Sequence, residues 1–161
     1  MVSLALSDGV FEPHPTAERQ RFRRGKSKIE GYRFLVVEDD LLIAMEAVER
    51  LSLLGMEVLG PATTVADAVQ MIEHGPAIDC ALLDFNLNGE MSYPAAGLLR
   101  MKQIPFAFVS GYDDCVLPGF FRDALVCSKP ADWETIAMLV AHSRRRANLT
   151  LDRVSASSAP S

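Results

Sequence analysis

Phe34-Leu35-Val36-Val37-Glu38-Asp39-Asp40 and Ala81-Leu82-Leu83-Asp84 are the two stretches that decide how this chain folds. Each is a short apolar run, with the length and composition of a strand buried on both faces of a parallel sheet, and each ends in acid. If the two strands are neighbours, their carboxyl ends gather several carboxylates at one edge of the sheet, where ligands sit in open α/β folds. Carboxylates about 5 Å apart repel by about 3 kcal/mol per pair at an effective dielectric near 20. Such a cluster calls for a cation, a proton or a function.

Outward from these runs, strand-like and helix-like segments alternate. A strand over about 33–38 leads to a helix over about 41–54, with Asp40 as N-cap and Leu41, Met45, Val48 and Leu51 as its apolar stripe. Gly55 stops that helix, and Met56 to Gly60 reads as the second strand. Thr64-Val65-Ala66-Asp67 resembles a capping box, opening a helix with Val65, Ala68, Val69 and Ile72 on one face. Asp79 to Leu83 is the third strand, and a helix near 93–102 comes next with Pro94 in its first turn. Phe106 to Val109 is the fourth strand. Pro118 and Gly119 argue against one long helix over 112–124. Leu125-Val126-Cys127 is a short fifth strand. Asp132 caps a last helix carrying Trp133, Ile136, Ala137 and Val140, with Arg144-Arg145-Arg146 at its end, where positive charge suits the helix dipole. Alternating elements with short connections predict a doubly wound five-stranded parallel sheet with helices on both faces and an irregular fourth-helix region.

The length of 161 residues fits one domain with tails. Residues 1–32 read as a flexible basic arm, 33–146 as the domain and 147–161 as a disordered tail rich in serine. The net charge of −5 conceals an asymmetry: residues 34–142 hold sixteen acids and five bases, whereas residues 1–33 hold four acids and seven bases. An acidic domain is a poor nucleic-acid binder, so none is expected through it. Cys80, Cys115 and Cys127 form no C-x-x-C pair, which argues against a disulfide framework or a zinc site. No apolar run approaches the roughly 18 residues of a membrane span, and the expected location is the cytoplasm.

Four predicted strand ends carry the chemistry: Glu38 and Asp39, then Asp84, then Ser110-Gly111, then Ser128-Lys129-Pro130. Acid pair, lone acid, hydroxyl and lysine in that order resemble the receiver domain of bacterial two-component response regulators, the CheY-like or flavodoxin-like fold, over about 33–146. Leu83-Asp84-Phe85-Asn86-Leu87-Asn88-Gly89 is similar to that family's phosphoacceptor loop. Pro105-Phe106-Ala107-Phe108-Val109-Ser110-Gly111-Tyr112 is similar to the signature of the receiver subclass called FAT GUY, whose fourth-helix region is altered.

The resemblance implies that Asp84 accepts a phosphoryl group from a histidine kinase or phosphotransfer protein. Glu38, Asp39, Asp84 and the backbone carbonyl of Asn86 would hold Mg²⁺. Lys129 and Ser110 would bind the phosphoryl oxygens. The family often has a cis bond where Lys129-Pro130 stands. A downstream protein would read the modified state, and the domain would be a signalling receiver rather than an enzyme. One departure concerns that readout. The family usually has an aromatic residue three positions before the lysine, and this chain has Val126, which makes Tyr112 the switch candidate. Two other functions use overlapping residues: a phosphate sink, and a binding module independent of phosphorylation. A haloacid-dehalogenase-like phosphatase would need a second Asp where Asn86 stands.

Overall fold

Phe34 lies opposite Cys80 and Val37 opposite Leu83, so the two acid-terminated runs are parallel neighbours. The structure, a computed structural model, describes residues 29–111 and 117–144. Its strands are β1 (Arg33–Val37), β2 (Glu57–Ala62), β3 (Cys80–Asp84), β4 (Phe106–Ser110) and β5 (Leu125–Ser128). They form one parallel sheet in the order β2-β1-β3-β4-β5. Its helices are α1 (Leu41–Leu53), α2 (Val65–His74), α3 (Tyr93–Met101) and α4, over 133–144.

Side chains alternate across a strand, so each central strand feeds two cores. On one face Leu35, Val37, Ala81, Leu83 and Phe108 pack with α2 and α3. On the other face Phe34, Val36, Cys80, Leu82 and Val109 pack with α1 and α4. The edge strand β2 changes register against β1 between Leu35 and Val37. Gly60 permits this with φ +97°, because a Cβ there would stand 2.8 Å from the carbonyl oxygen of Val36.

Caps fix the helix starts. The Asp40 carboxylate accepts the N–H groups of Leu42 at 2.9 Å and Ile43 at 3.2 Å, and the Thr64 hydroxyl accepts that of Asp67 at 3.1 Å. Asp132 accepts the N–H of Thr135 in the same way. Gly55, at φ +81°, ends α1.

Several details differ from what the sequence predicts. The buried stripe of α1 is Ala44, Ala47 and Leu51, whereas Leu41 and Met45 are 61% and 59% exposed. The helix is rotated so that its small residues meet the sheet, which brings its backbone close. Residues 29–32, expected in the arm, are joined to the domain: Ile29 is buried in the α1/α4 core, and the Gly31 N–H donates to the Gly55 carbonyl. Arg144 has a partner beyond its own helix. Its guanidinium pairs with the Asp79 carboxylate, which also pairs with Arg33, and so fastens α4 to the starts of β1 and β3. Arg145 and Arg146 lie outside the described residues.

Between β4 and β5, residues 117–124 hold a single 3₁₀ turn, Gly119–Phe121, and no α-helix. Arg100 of α3 secures this segment. Its guanidinium donates to the Phe120 carbonyl and to Asp123, and it lies 5.1 Å from the centre of the Phe120 ring. Beneath the turn, the fully buried Phe108 makes edge-to-face contacts with Phe85, Tyr93, Phe106 and Phe121. Phe108→Ala is expected to destabilise the fold by about 3–5 kcal/mol, because the rigid sheet cannot collapse into the space left. A denaturant titration should show a lower midpoint at unchanged slope. Phe120→Ala, at a ring 59% exposed, should cost far less.

Candidate functional site

Glu38 comes directly after β1, and its carboxylate is drawn inward, to 2% exposure. Asp40 turns away to cap α1, while its own N–H donates to Glu38 Oε1 at 3.2 Å. Asp84 ends β3 and is also buried. Glu38, Asp39 and Asp84 each offer an oxygen, and these atoms lie within 4.8 Å of one another.

Lys129 enters from the end of β5. Its ammonium donates to Glu38 Oε2 at 2.6 Å and Asp84 Oδ2 at 2.7 Å. The Lys129–Pro130 peptide bond is cis, and the Lys129 N–H donates to the Ser110 carbonyl at 2.7 Å. Ser110 ends β4, buried and paired in register with Ser128. Glu38, Asp39, Asp84, Ser110 and Lys129 thus all come from the same edge of the sheet, as the strand order requires. Val126 lies in β5 and is exposed. Tyr112 lies outside the described residues.

The electrostatics arise from burial. Desolvation pushes the Glu38 carboxyl up to about 7, and the charge of Asp84 adds to the rise while Lys129 opposes it. For Lys129, burial disfavours the ammonium, but the hydrogen bonds and charges of Asp84 and Glu38 outweigh it and raise the pKa. The lysine is therefore a fixed positive charge inside an acidic group.

The loop after Asp84 has a structure that the sequence does not predict. It folds into a two-stranded ribbon, Asn86–Leu87 against Glu90–Met91. Asn88 and Gly89 turn it, with φ of +52° and +93°. Asn-Gly is the preferred pair for such a turn, so a signal is present, but strands of two residues have no periodicity to detect. The ribbon is joined to the acids. Asn86 N–H donates to Asp84 Oδ1 at 3.1 Å, and Asn88 N–H donates to Asp39 Oδ2 at 3.0 Å.

Three carboxylates in this geometry are a donor set for a hard divalent cation, and neither thiol nor imidazole is among them. Beside them stands a lysine able to meet further anionic oxygens. The arrangement suits a reaction that brings a polyanionic oxygen group to Asp84.

No protein-family model matches the chain, and a search of curated proteins finds no match. Solved structures do match. SdrG from Sphingomonas melonis Fr1 is 36% identical, covers 71% of this chain and 96% of its own, and superposes with a TM-score of 0.61. A BeF3-activated conformation of SdrG from Pseudomonas melonis Fr1 is 37% identical, with 67% and 95% coverage and a TM-score of 0.56. A response regulator receiver protein from Sinorhizobium medicae WSM419 shares the fold at 18% identity, with 73% and 97% coverage and a TM-score of 0.60. With its strand order, its acidic cluster and these relatives, the chain belongs to the response regulator receiver domains.

Proposed function

We propose that this receiver takes a phosphoryl group onto Asp84 from a phosphohistidine of a histidine kinase or phosphotransfer protein, and signals through a protein that distinguishes the modified form. The observation that carries the reading is the seating of Asp84 between two other acids and the Lys129 ammonium. A carboxylate approaching a phosphoryl group already rich in negative oxygens needs positive charge between them. Mg²⁺ bound by Glu38, Asp39, Asp84 and the Asn86 carbonyl would supply part of it. Lys129 supplies the rest by moving its hydrogen bond from Asp84 to a phosphoryl oxygen, and the Ser110 hydroxyl donates to another. An Asp84 carboxylate oxygen forms the new O–P bond as the N–P bond to the donor imidazole breaks, and the imidazole nitrogen recovers a proton. The BeF3-activated form of SdrG supports this reading, since BeF3 imitates a phosphoryl group on a carboxylate. The stretch from Pro105 to Tyr112 supports placing the chain among the FAT GUY-type receivers, with Tyr112 rather than position 126 reporting the modification.

The test is incubation with acetyl phosphate. With Mg²⁺ present, intact mass should rise by one phosphoryl group, and the label should be labile to hydroxylamine, as an acyl phosphate is. It should map to the peptide holding Asp84 and vanish with EDTA. Metal-independent labelling, or a label on serine or histidine, would sink the assignment.

A further inference from the structure

Glu38 and Asp84 each have both carboxylate oxygens engaged: Glu38 by the Asp40 N–H and Lys129, Asp84 by the Asn86 N–H and Lys129. Asp39 differs. Its Oδ2 accepts the Asn88 N–H, and its Oδ1 has no hydrogen-bond partner among the described residues. One amide therefore fixes the orientation of the carboxylate and leaves the other oxygen for a cation. The amide is itself held in place. Asn88 and Gly89 adopt left-handed conformations, and the Gly89 N–H donates to the Asn86 side-chain oxygen at 2.6 Å. The Ser92 N–H, from the start of α3, donates to the Phe85 carbonyl at 3.2 Å, closing the base of the loop.

We infer that the Asn86–Met91 ribbon is a positioning element for the cation, acting through the Asn88 N–H on Asp39. This rests on the reading of Glu38, Asp39 and Asp84 as the Mg²⁺ site. Partners that orient a ligating carboxylate are worth about 10–100-fold in metal affinity. The element depends on a backbone conformation that only a few residues adopt readily, of which Asn and Gly are the foremost. A Cβ added at Gly89 would meet nothing within 4 Å, so a side chain there acts through the backbone and not by collision.

The experiment measures Mg²⁺ affinity by calorimetry in the full chain. Gly89→Val and Asn88→Val, which disfavour the left-handed turn, should each weaken Mg²⁺ binding by about 10-fold or more. Asn88→Gly, which keeps the turn, should bind as wild type does. The melting temperature without metal should stay near wild type in all three, because Asn88 and Gly89 are exposed and the buried Leu87 is left unchanged. A double-mutant cycle identifies the route: in an Asp39→Asn background, Gly89→Val should weaken binding no further. An additive loss would mean that the ribbon acts through the Asn86 carbonyl instead, and would overturn the inference. Wild-type affinity in Gly89→Val, with Asp39→Asn weakened, would overturn it too while leaving the metal site standing. Wild-type affinity in Asp39→Asn itself would remove the metal-site reading and the inference with it.

Discussion

Asp84→Asn is expected to reduce labelling by acetyl phosphate to background while leaving the protein folded. The amide that replaces the carboxylate is a poor nucleophile and cannot form the acyl phosphate. The stability outcome separates this substitution from a merely disruptive one. Asp84 lies with Glu38 and Asp39 in a group whose ligand oxygens are within 4.8 Å of one another. At that separation each pair of charges repels by about 3 kcal/mol at an effective dielectric near 20. The substitution removes this repulsion together with the ion pair to Lys129 at 2.7 Å, which keeps Glu38 as its partner at 2.6 Å. Stability without metal at neutral pH should therefore stay near wild type, because repulsion and attraction of similar size are lost together. The Glu38 carboxyl should titrate below its present value of about 7, since the charge of Asp84 is one cause of the rise. A ¹³C titration of the glutamate side chains would read this directly. Full labelling of the variant would exclude Asp84 as the acceptor.

The parts of this site that are legible in the sequence are those governed by chain direction. A strand with the pattern Phe34-Leu35-Val36-Val37 is buried on both faces, and the residues after it must emerge at the carboxyl edge. The same reasoning places Asp84, Ser110 and Lys129. Helix caps are legible because Asp40 and Thr64 act on N–H groups two or three residues away. Contacts between distant segments are not legible in this way. The phase of α1 is hidden because Leu41 and Met45 outweigh Ala44 and Ala47 in hydrophobicity, whereas close packing on the sheet favours the smaller pair. Arg144 reads as a helix-end charge because its partner, Asp79, is 65 residues away. The contact of Asn88 with Asp39 spans 49 residues and uses a backbone N–H, which no side-chain pattern reveals. Local chemistry thus specifies where each acid emerges, and tertiary contacts specify the partners that hold it.

Lys129→Met is expected to have the largest effect on stability of any substitution at the site, with a dependence on pH that identifies its cause. Methionine keeps much of the side chain's length and volume but removes the charge between Glu38 and Asp84. Removing one partner of a buried ion pair typically costs about 3–5 kcal/mol. The sign with pH is set by Glu38, whose folded pKa of about 7 stands above its ordinary 4.5. A carboxyl shifted upward favours the folded state fully below its ordinary pKa, and that contribution is lost as pH rises through the folded value. Lys129 is what opposes the rise, so without it Glu38 should titrate higher still. At pH 5 Glu38 is protonated in both folded proteins and needs the lysine less, so their stabilities should be closest there. The gap should widen up to pH 8, where wild-type Glu38 is ionised against its lysine and the variant must either bury that charge alone or take up a proton. Mg²⁺ at pH 8 should narrow the gap again, since a cation at the same carboxylates replaces the missing charge. Denaturant titrations at pH 5 and 8, with and without Mg²⁺, give the comparison. A loss of equal size under all four conditions would show that Lys129 contributes through the packing of its stem rather than through its charge.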